Sequence, residues 1–164
     1  MNKIHKGYGR TGLAAVFSYL EFQMGAEIGV AEGNFSHILA KYNRNAKLYS
    51  IDPWYNEAYY QKAIKRLSPL DNVEIIRKTS ADALRLFGYG VLDYVYIDAD
   101  HSYESVSFDI RHWSKKVRSG GIVAGHDYSN DEPGVKRAVK EYADNNGIED
   151  VYILTCNSWY WVKP

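Results

Sequence analysis

Two rhythms of apolar and polar positions alternate along the chain. Short, nearly continuous apolar runs occupy residues 26–30 (AEIGV), 47–52 (KLYSID), 73–77 (VEIIR), 92–98 (LDYVYID) and 122–125 (IVAG). Runs of this length suit strands buried on both faces of a parallel sheet. Between them, apolar residues recur at three- and four-residue spacing. Leu13, Val16, Phe17 and Leu20 form one such stripe, and Phe35, Ile38 and Leu39 form the next. Tyr59, Ala63 and Leu67 form a third; Val106, Ile110, Trp113 and Val117 a fourth; Val135, Ala138, Val139 and Tyr142 a fifth. The spacing predicts helices over 11–20, 34–42, 55–67 and 103–117, a short one over 80–87, and one opening at Asp131-Glu132-Pro133. Residues 1–10 are polar, show little periodicity and read as a flexible arm or lid.

The punctuation agrees with this division. Pro53 stops the second strand and is placed to open the following helix, while Ser80 and Ser102 are placed to cap theirs. Ser119-Gly120-Gly121 reads as a turn into the fifth strand, and Asn145-Asn146-Gly147 closes the last helix. Two final strands, 151–156 and 159–163, are joined by Asn157-Ser158, a hairpin signal. Strands separated by helices imply right-handed crossovers, so the fold class is α/β: a doubly wound, mostly parallel sheet with helices on both faces. The terminal hairpin adds one antiparallel strand. At 164 residues, with no repeat or linker, the chain reads as a single domain over 1–164.

Composition narrows the partners. Lys plus Arg and Asp plus Glu balance at 20 each, so no global field attracts nucleic acid or an anionic membrane, and neither is an expected partner. The lone Cys156 excludes an internal disulfide and reads as a buried small hydrophobe. With no apolar run of membrane-spanning length and no leader-like start, a cytoplasmic location is expected. The 15 Tyr and 4 Trp are many for this length, and some are expected at a pocket or subunit interface, hence a homodimer.

Chemistry gathers where the strands end, which is where open α/β sheets bind ligands. The first strand runs into a turn bracketed by Gly29 and Gly33, with Glu27 inside an otherwise apolar run. That combination suggests a backbone that comes close to a ligand. The second strand ends at Asp52, positioned to accept hydrogen bonds from ribose hydroxyls, and the third near Ser80, Ala81 and Asp82. The fourth ends in Asp98, Asp100 and His101, and the fifth in His126, Asp127 and Tyr128. So many ionisable groups after uncharged runs are hard to explain as packing. The G-x-x-x-G spacing lacks the middle glycine that admits a pyrophosphate in G-x-G-x-x-G sites, which favours an adenosine ligand without phosphate.

The segment from Glu27 to Gly33, the acidic Asp52 and Asp82, and the Gly120-Gly121 turn resemble the class I S-adenosylmethionine-dependent methyltransferases. The resemblance spans most of the chain and implies a seven-stranded sheet of order 3-2-1-4-5-7-6, the seventh strand antiparallel. It implies that Gly29 and Gly33 approach the methionyl moiety of S-adenosyl-L-methionine beside Glu27, that Asp52 binds the ribose, and that Ala81 and Asp82 meet the adenine edge. The stretch IDADHSYESVSFDIRHW, followed by SGGIVAGHDY, is similar to the small metal-dependent O-methyltransferases of the macrolide-sugar, caffeoyl-CoA and catechol type. By that likeness Asp98, Asp127 and His126 are the metal ligands and His101 is the catalytic base, with Asp98 also catalytic. The chain departs from those relatives at two positions. The macrolide branch carries an acidic residue where His126 stands, and the catechol branch carries Asn where Tyr128 stands. An Asp₂His set suits Mn²⁺, Fe²⁺ or Zn²⁺ better than Mg²⁺.

The reading is therefore methyl transfer to a small-molecule acceptor, most simply a hydroxyl, with Tyr8, Tyr103 and Tyr128 as candidate pocket walls. His5 and His112 are expected at the solvated surface. Two alternatives use the same residues: a non-enzymatic adenosyl-ligand or scaffold protein, and a metal-dependent hydroxylase-like enzyme. Methylation of nucleic acid is disfavoured, since no N-P-P-Y-type motif or basic run is present.

Overall fold

A computed structural model describes residues 3–5 and 9–164. The flexible arm expected over residues 1–10 therefore falls largely outside the described residues, as do Tyr8 and the side chain of His5. Among the described residues eight strands form one sheet: β1 (Lys3–His5), β2 (Met24–Ile28), β3 (Lys47–Asp52), β4 (Val73–Arg77), β5 (Leu92–Ile97), β6 (Val117–Gly125), β7 (Tyr152–Leu154) and β8 (Trp159–Val162). Their order is β1-β7-β8-β6-β5-β2-β3-β4. Counted from β2, the strands follow the expected 3-2-1-4-5-7-6 arrangement, and β8 runs antiparallel to both β6 and β7. The eighth strand is an addition to that expectation: β1 pairs parallel with β7 and covers what would otherwise be its open edge.

Among the described residues six α-helices flank the sheet: α1 (Arg10–Tyr19), α2 (Asn34–Tyr42), α3 (Glu57–Leu67), α4 (Ser80–Ala83), α5 (Tyr103–Trp113) and α6 (Pro133–Asn145). The two-residue period of β5 divides the core between the faces. Val95 and Ile97 pack with the buried stripes of α5 and α6, whereas Tyr94 and Tyr96 pack with those of α1 and α2. Tyr94 stacks on Phe17 with ring centroids 4.0 Å apart, and Trp159 stacks on Trp161 at 5.1 Å. All four tryptophans are buried, so much of the aromatic content goes into the core. Among the described residues no helix is long and apolar enough to cross a membrane.

Several element ends differ from the pattern, each for a local reason. Pro53 does not open α3, because Asp52 Oδ1 accepts the Trp54 N–H at 2.6 Å and Trp54 takes a left-handed φ of 44° to bury its ring. The cap of α3 is Asn56, whose side chain accepts from Ala58 N and Tyr59 N. Tyr60, rather than Tyr59, turns inward against Trp54. Thr79, not Ser80, caps α4. Ser102 does cap α5, but that helix ends at Trp113, and Val117 begins β6. The turn expected at 119–121 lies inside β6, at a register irregularity against β5.

Candidate functional site

A cavity of about 740 Å³ opens over the carboxyl ends of β2, β3, β4 and β5. Gly29 and Ala31 line it from the first turn, Asp52, Pro53 and Tyr55 from the second, and Thr79, Ser80 and Ala81 from the third. Asp98, Ala99 and Asp100 form the wall nearest β6, and α5 closes the side with Phe108 and Asp109. The expected Gly29, Asp52, Ala81 and Asp98 are thus brought together.

The turn after β2 is held from below by its neighbours. Asp52 Oδ2 accepts N–H bonds from Val30 at 2.9 Å and Ala31 at 3.0 Å, and Trp54 Nε1 donates to the Ala31 carbonyl at 2.7 Å. Gly29 has φ +88°, and a Cβ there would lie 2.2 Å from the Asp98 carbonyl oxygen. Its close approach is therefore to the end of β5. Gly33, the N-cap of α2 at φ +78°, packs against Leu67 of α3.

Glu27, expected beside the ligand, alternates onto the α1/α2 face of β2 and does not line the cavity. Ser36 of α2 donates its hydroxyl to Glu27 Oε2 and also meets Ser50 Oγ of β3 at 2.8 Å. Burial raises the Glu27 carboxyl to about 8, against the opposing Ser36 hydrogen bond. Asp82 likewise lies outside the lining: it accepts from Thr79 Oγ1 at 2.8 Å and pairs with Arg85 at 2.9 Å, completing the start of α4. Tyr103 donates to Glu141 at 2.5 Å between α5 and α6, and Tyr128 lies beneath Lys136. The aromatic walls of the cavity are instead Tyr55 and Phe108, while the half-buried His112 ring stacks on Phe108.

At the β5 and β6 end, ionisable groups converge. His101 Nε2 stands 3.0 Å from Asp127 Oδ2 and 3.9 Å from Asp98 Oδ1, and its Nδ1 is 3.4 Å from Glu132 Oε1. Asp127 adopts a left-handed φ of 59°, a conformation Asp tolerates better than most residues, and this aims its carboxylate at both His101 and His126. Burial pushes the Asp98 carboxyl upward, while Arg10 and His126 oppose the shift. Among the described residues, the group whose donor atoms lie within 4.8 Å of one another is Asp98, His101 and Asp127. His126, the expected third ligand, is outside that group; its Nδ1 faces Arg10 Nη2 at 2.9 Å and Asp127 Oδ1 at 2.8 Å.

Four groups here escaped the sequence reading. Arg10, Tyr55 and Glu132 carry no local signal. Asp109 did carry one, as an acid inside the inward stripe of α5. Its carboxylate accepts from Ser80 Oγ, which in turn accepts from Trp113 Nε1 at 2.8 Å, and burial raises the carboxyl to about 6.

Comparison with known proteins agrees with the fold. The structure resembles a candidate caffeoyl-CoA O-methyltransferase from Staphylococcus aureus (TM-score 0.75, 17% identity, 93% of this chain and 81% of that one). It also resembles the O-methyltransferase TomG from Streptomyces achromogenes, solved in complex with SAM (0.70, 18%, 94% and 79%). An O-methyltransferase from Bacillus cereus in complex with SAH is similar as well (0.70, 18%, 94% and 80%). No curated protein sequence matches the chain. The profile of the methyltransferase-domain family matches residues 26–128, from β2 to the loop after β6, so the chain belongs to that family.

Proposed function

We propose that the protein transfers a methyl group from S-adenosyl-L-methionine to a hydroxyl of a small-molecule acceptor. The observation that carries this reading is one cavity that joins the β2 turn and Asp52 to Asp98, beside which His101 and Asp127 stand. The SAM bound in the TomG structure and its demethylated product SAH bound in the Bacillus cereus structure support it. S-adenosylmethionine supplies an activated methyl group on its sulfonium. Asp52 Oδ1, which among the described residues accepts only the Trp54 N–H, retains a lone pair for a ribose hydroxyl, the Gly29–Gly33 turn faces the methionyl part, and Ser80 and Ala81 border the adenine.

His101 takes the hydroxyl proton, with Asp127 and Glu132 holding its ring in one orientation. Asp98 positions the acceptor. Two carboxylates and an imidazole also fit a borderline divalent ion such as Mn²⁺. Asp98, His101 and Asp127 would hold that ion, which would lower the pKa of the acceptor hydroxyl and so stand in for His101 as base, since a coordinated imidazole nitrogen has no lone pair left for the proton.

Calorimetry with S-adenosylmethionine and S-adenosylhomocysteine tests the reading. Micromolar binding of either supports it, and failure of both, with and without Mn²⁺, overturns it. The homodimer is a separate proposal, motivated by exposed Tyr19, Leu20 and Tyr42. A light-scattering mass near twice 18.8 kDa is expected, and a monomeric mass overturns it.

A further inference from the structure

Arg10 is the first residue of α1, yet its guanidinium reaches Asp98 and His126 at the ends of β5 and β6. Its Nη1 lies 3.2 Å from Asp98 Oδ2 and its Nη2 lies 2.9 Å from His126 Nδ1. The group rests 5.7 Å from the ring centroid of Phe35, which is buried. Asp98 is therefore shared. One oxygen faces Arg10, while the other faces His101 Nε2 at 3.9 Å and His126 Nδ1 at 3.8 Å. That same carboxylate is a member of the only group of donors, among the described residues, spaced to hold a metal ion.

A guanidinium stays charged at every accessible pH, so the charge beside Asp98 is permanent for as long as the side chain stays in place. A divalent ion on Asp98 would meet that charge within a few ångströms, in a site whose carboxylate side chain is only 15% exposed. Arg10 itself is 35% exposed, so it has a route to solvent. We infer that Arg10 is the resident cation of this end of the site and competes with a divalent metal ion for Asp98. With the guanidinium docked, Asp98 is neutralised without metal. A metal ion binds only as the Arg10 side chain leaves.

This inference concerns only which cation sits on Asp98. Its outcome is separable from the methyl-transfer reading, which stands or falls on S-adenosylhomocysteine binding. The test is calorimetric titration of Mn²⁺ into the full chain, its Arg10→Gln and Arg10→Lys variants, and an Arg10→Gln/Asp98→Asn double variant. Arg10→Gln is expected to bind Mn²⁺ at least tenfold more tightly than the parent, Arg10→Lys to fall between them, and Asp98→Asn to abolish the gain. Equal affinities in parent and Arg10→Gln overturn the inference, as does a gain that survives Asp98→Asn, or no binding by any of the proteins. A measurement on the parent chain alone covers the case of a variant that does not fold. Saturating Zn²⁺ should move the Arg10 Nε–H resonance toward that of a solvated arginine, and an unmoved resonance in the metal-bound protein also overturns it.

Discussion

Glu27 is an acid held in a place that disfavours its charge. It is 2% exposed, its one close polar partner is the Ser36 hydroxyl, and its carboxyl is raised from 4.5 to about 8. The folded state therefore keeps a proton up to about pH 8, whereas the unfolded chain loses it near pH 4.5. Through that window the folded state binds more protons, so stability falls as pH rises and levels off above the folded value. The full difference is on the order of 3–5 kcal/mol. Asp109, raised to about 6, acts in the same direction but finishes lower, so pH 7 to 9 separates Glu27 from Asp109. Glu27→Gln is expected to lose most of that slope and to exceed the parent at pH 9 in urea midpoint; an unchanged slope would assign it to another group. A different outcome is expected at His101, where Gln keeps the shape and removes the base. His101→Gln should lower turnover roughly 10²- to 10⁴-fold while leaving S-adenosylhomocysteine affinity within twofold, read by steady-state kinetics beside calorimetry. Glu27 was visible in the sequence as an anomaly, but its reason was not, since Ser36, itself held by Ser50, reaches it only when α2 packs on the sheet. Arg10 was invisible, because its contact with His126 spans 116 residues.

The elements themselves were more legible than their ends. Strands β3 and β4 and helix α2 begin and end where the apolar runs do, because each is bounded by residues that prefer turns. The ends of α3 and α4 were misplaced because side chains decide them: Asp52 holds Trp54 out of the helix, and Thr79 outcompetes Ser80 as a cap. The two glycines after β2 separate the same way. Both hold a positive φ, but an added Cβ at Gly29 meets backbone of the β5 end at 2.2 Å, whereas at Gly33 it meets the Leu67 side chain at 3.1 Å. Backbone cannot yield without moving Asp98, whereas a leucine tip turns aside. Gly29→Ala is therefore expected to cost about 2–4 kcal/mol and Gly33→Ala about 1 kcal/mol, compared by denaturant unfolding. Equal costs would mean that the left-handed φ, and not the packing of β2 against β5, sets the requirement for glycine at both places.

At the scale of the whole molecule, alternation of strand and helix was enough to anticipate a doubly wound, mostly parallel sheet, while the strand order followed from the resemblance to class I methyltransferases. The aromatic content was a weaker guide. Some of the many rings were expected at a pocket or interface, yet Trp54, Trp113, Trp159 and Trp161 are all buried, and composition cannot separate the two uses. The cavity has a consequence for the entire fold, because it is walled by the ends of four strands and one side of α5. A ligand that fills it ties together elements that otherwise meet only through the sheet, and it stabilises the folded state by RT ln(1 + [L]/Kd). At a hundredfold excess over Kd this is about 2.7 kcal/mol, which for a chain of this size corresponds to a rise in Tm of about 5–10 °C. S-adenosylhomocysteine is expected to produce that rise. Asp52 should control it twice over, because its carboxylate both faces the cavity and accepts the N–H groups of Val30, Ala31 and Trp54 that shape the turn. With Asp52→Ala, roughly fiftyfold weaker binding would leave a shift of about 1–3 °C at the same concentration. A full shift in the variant would remove Asp52 from ligand binding. No shift in the parent would leave the cavity without the adenosyl ligand that its shape and wall residues favour.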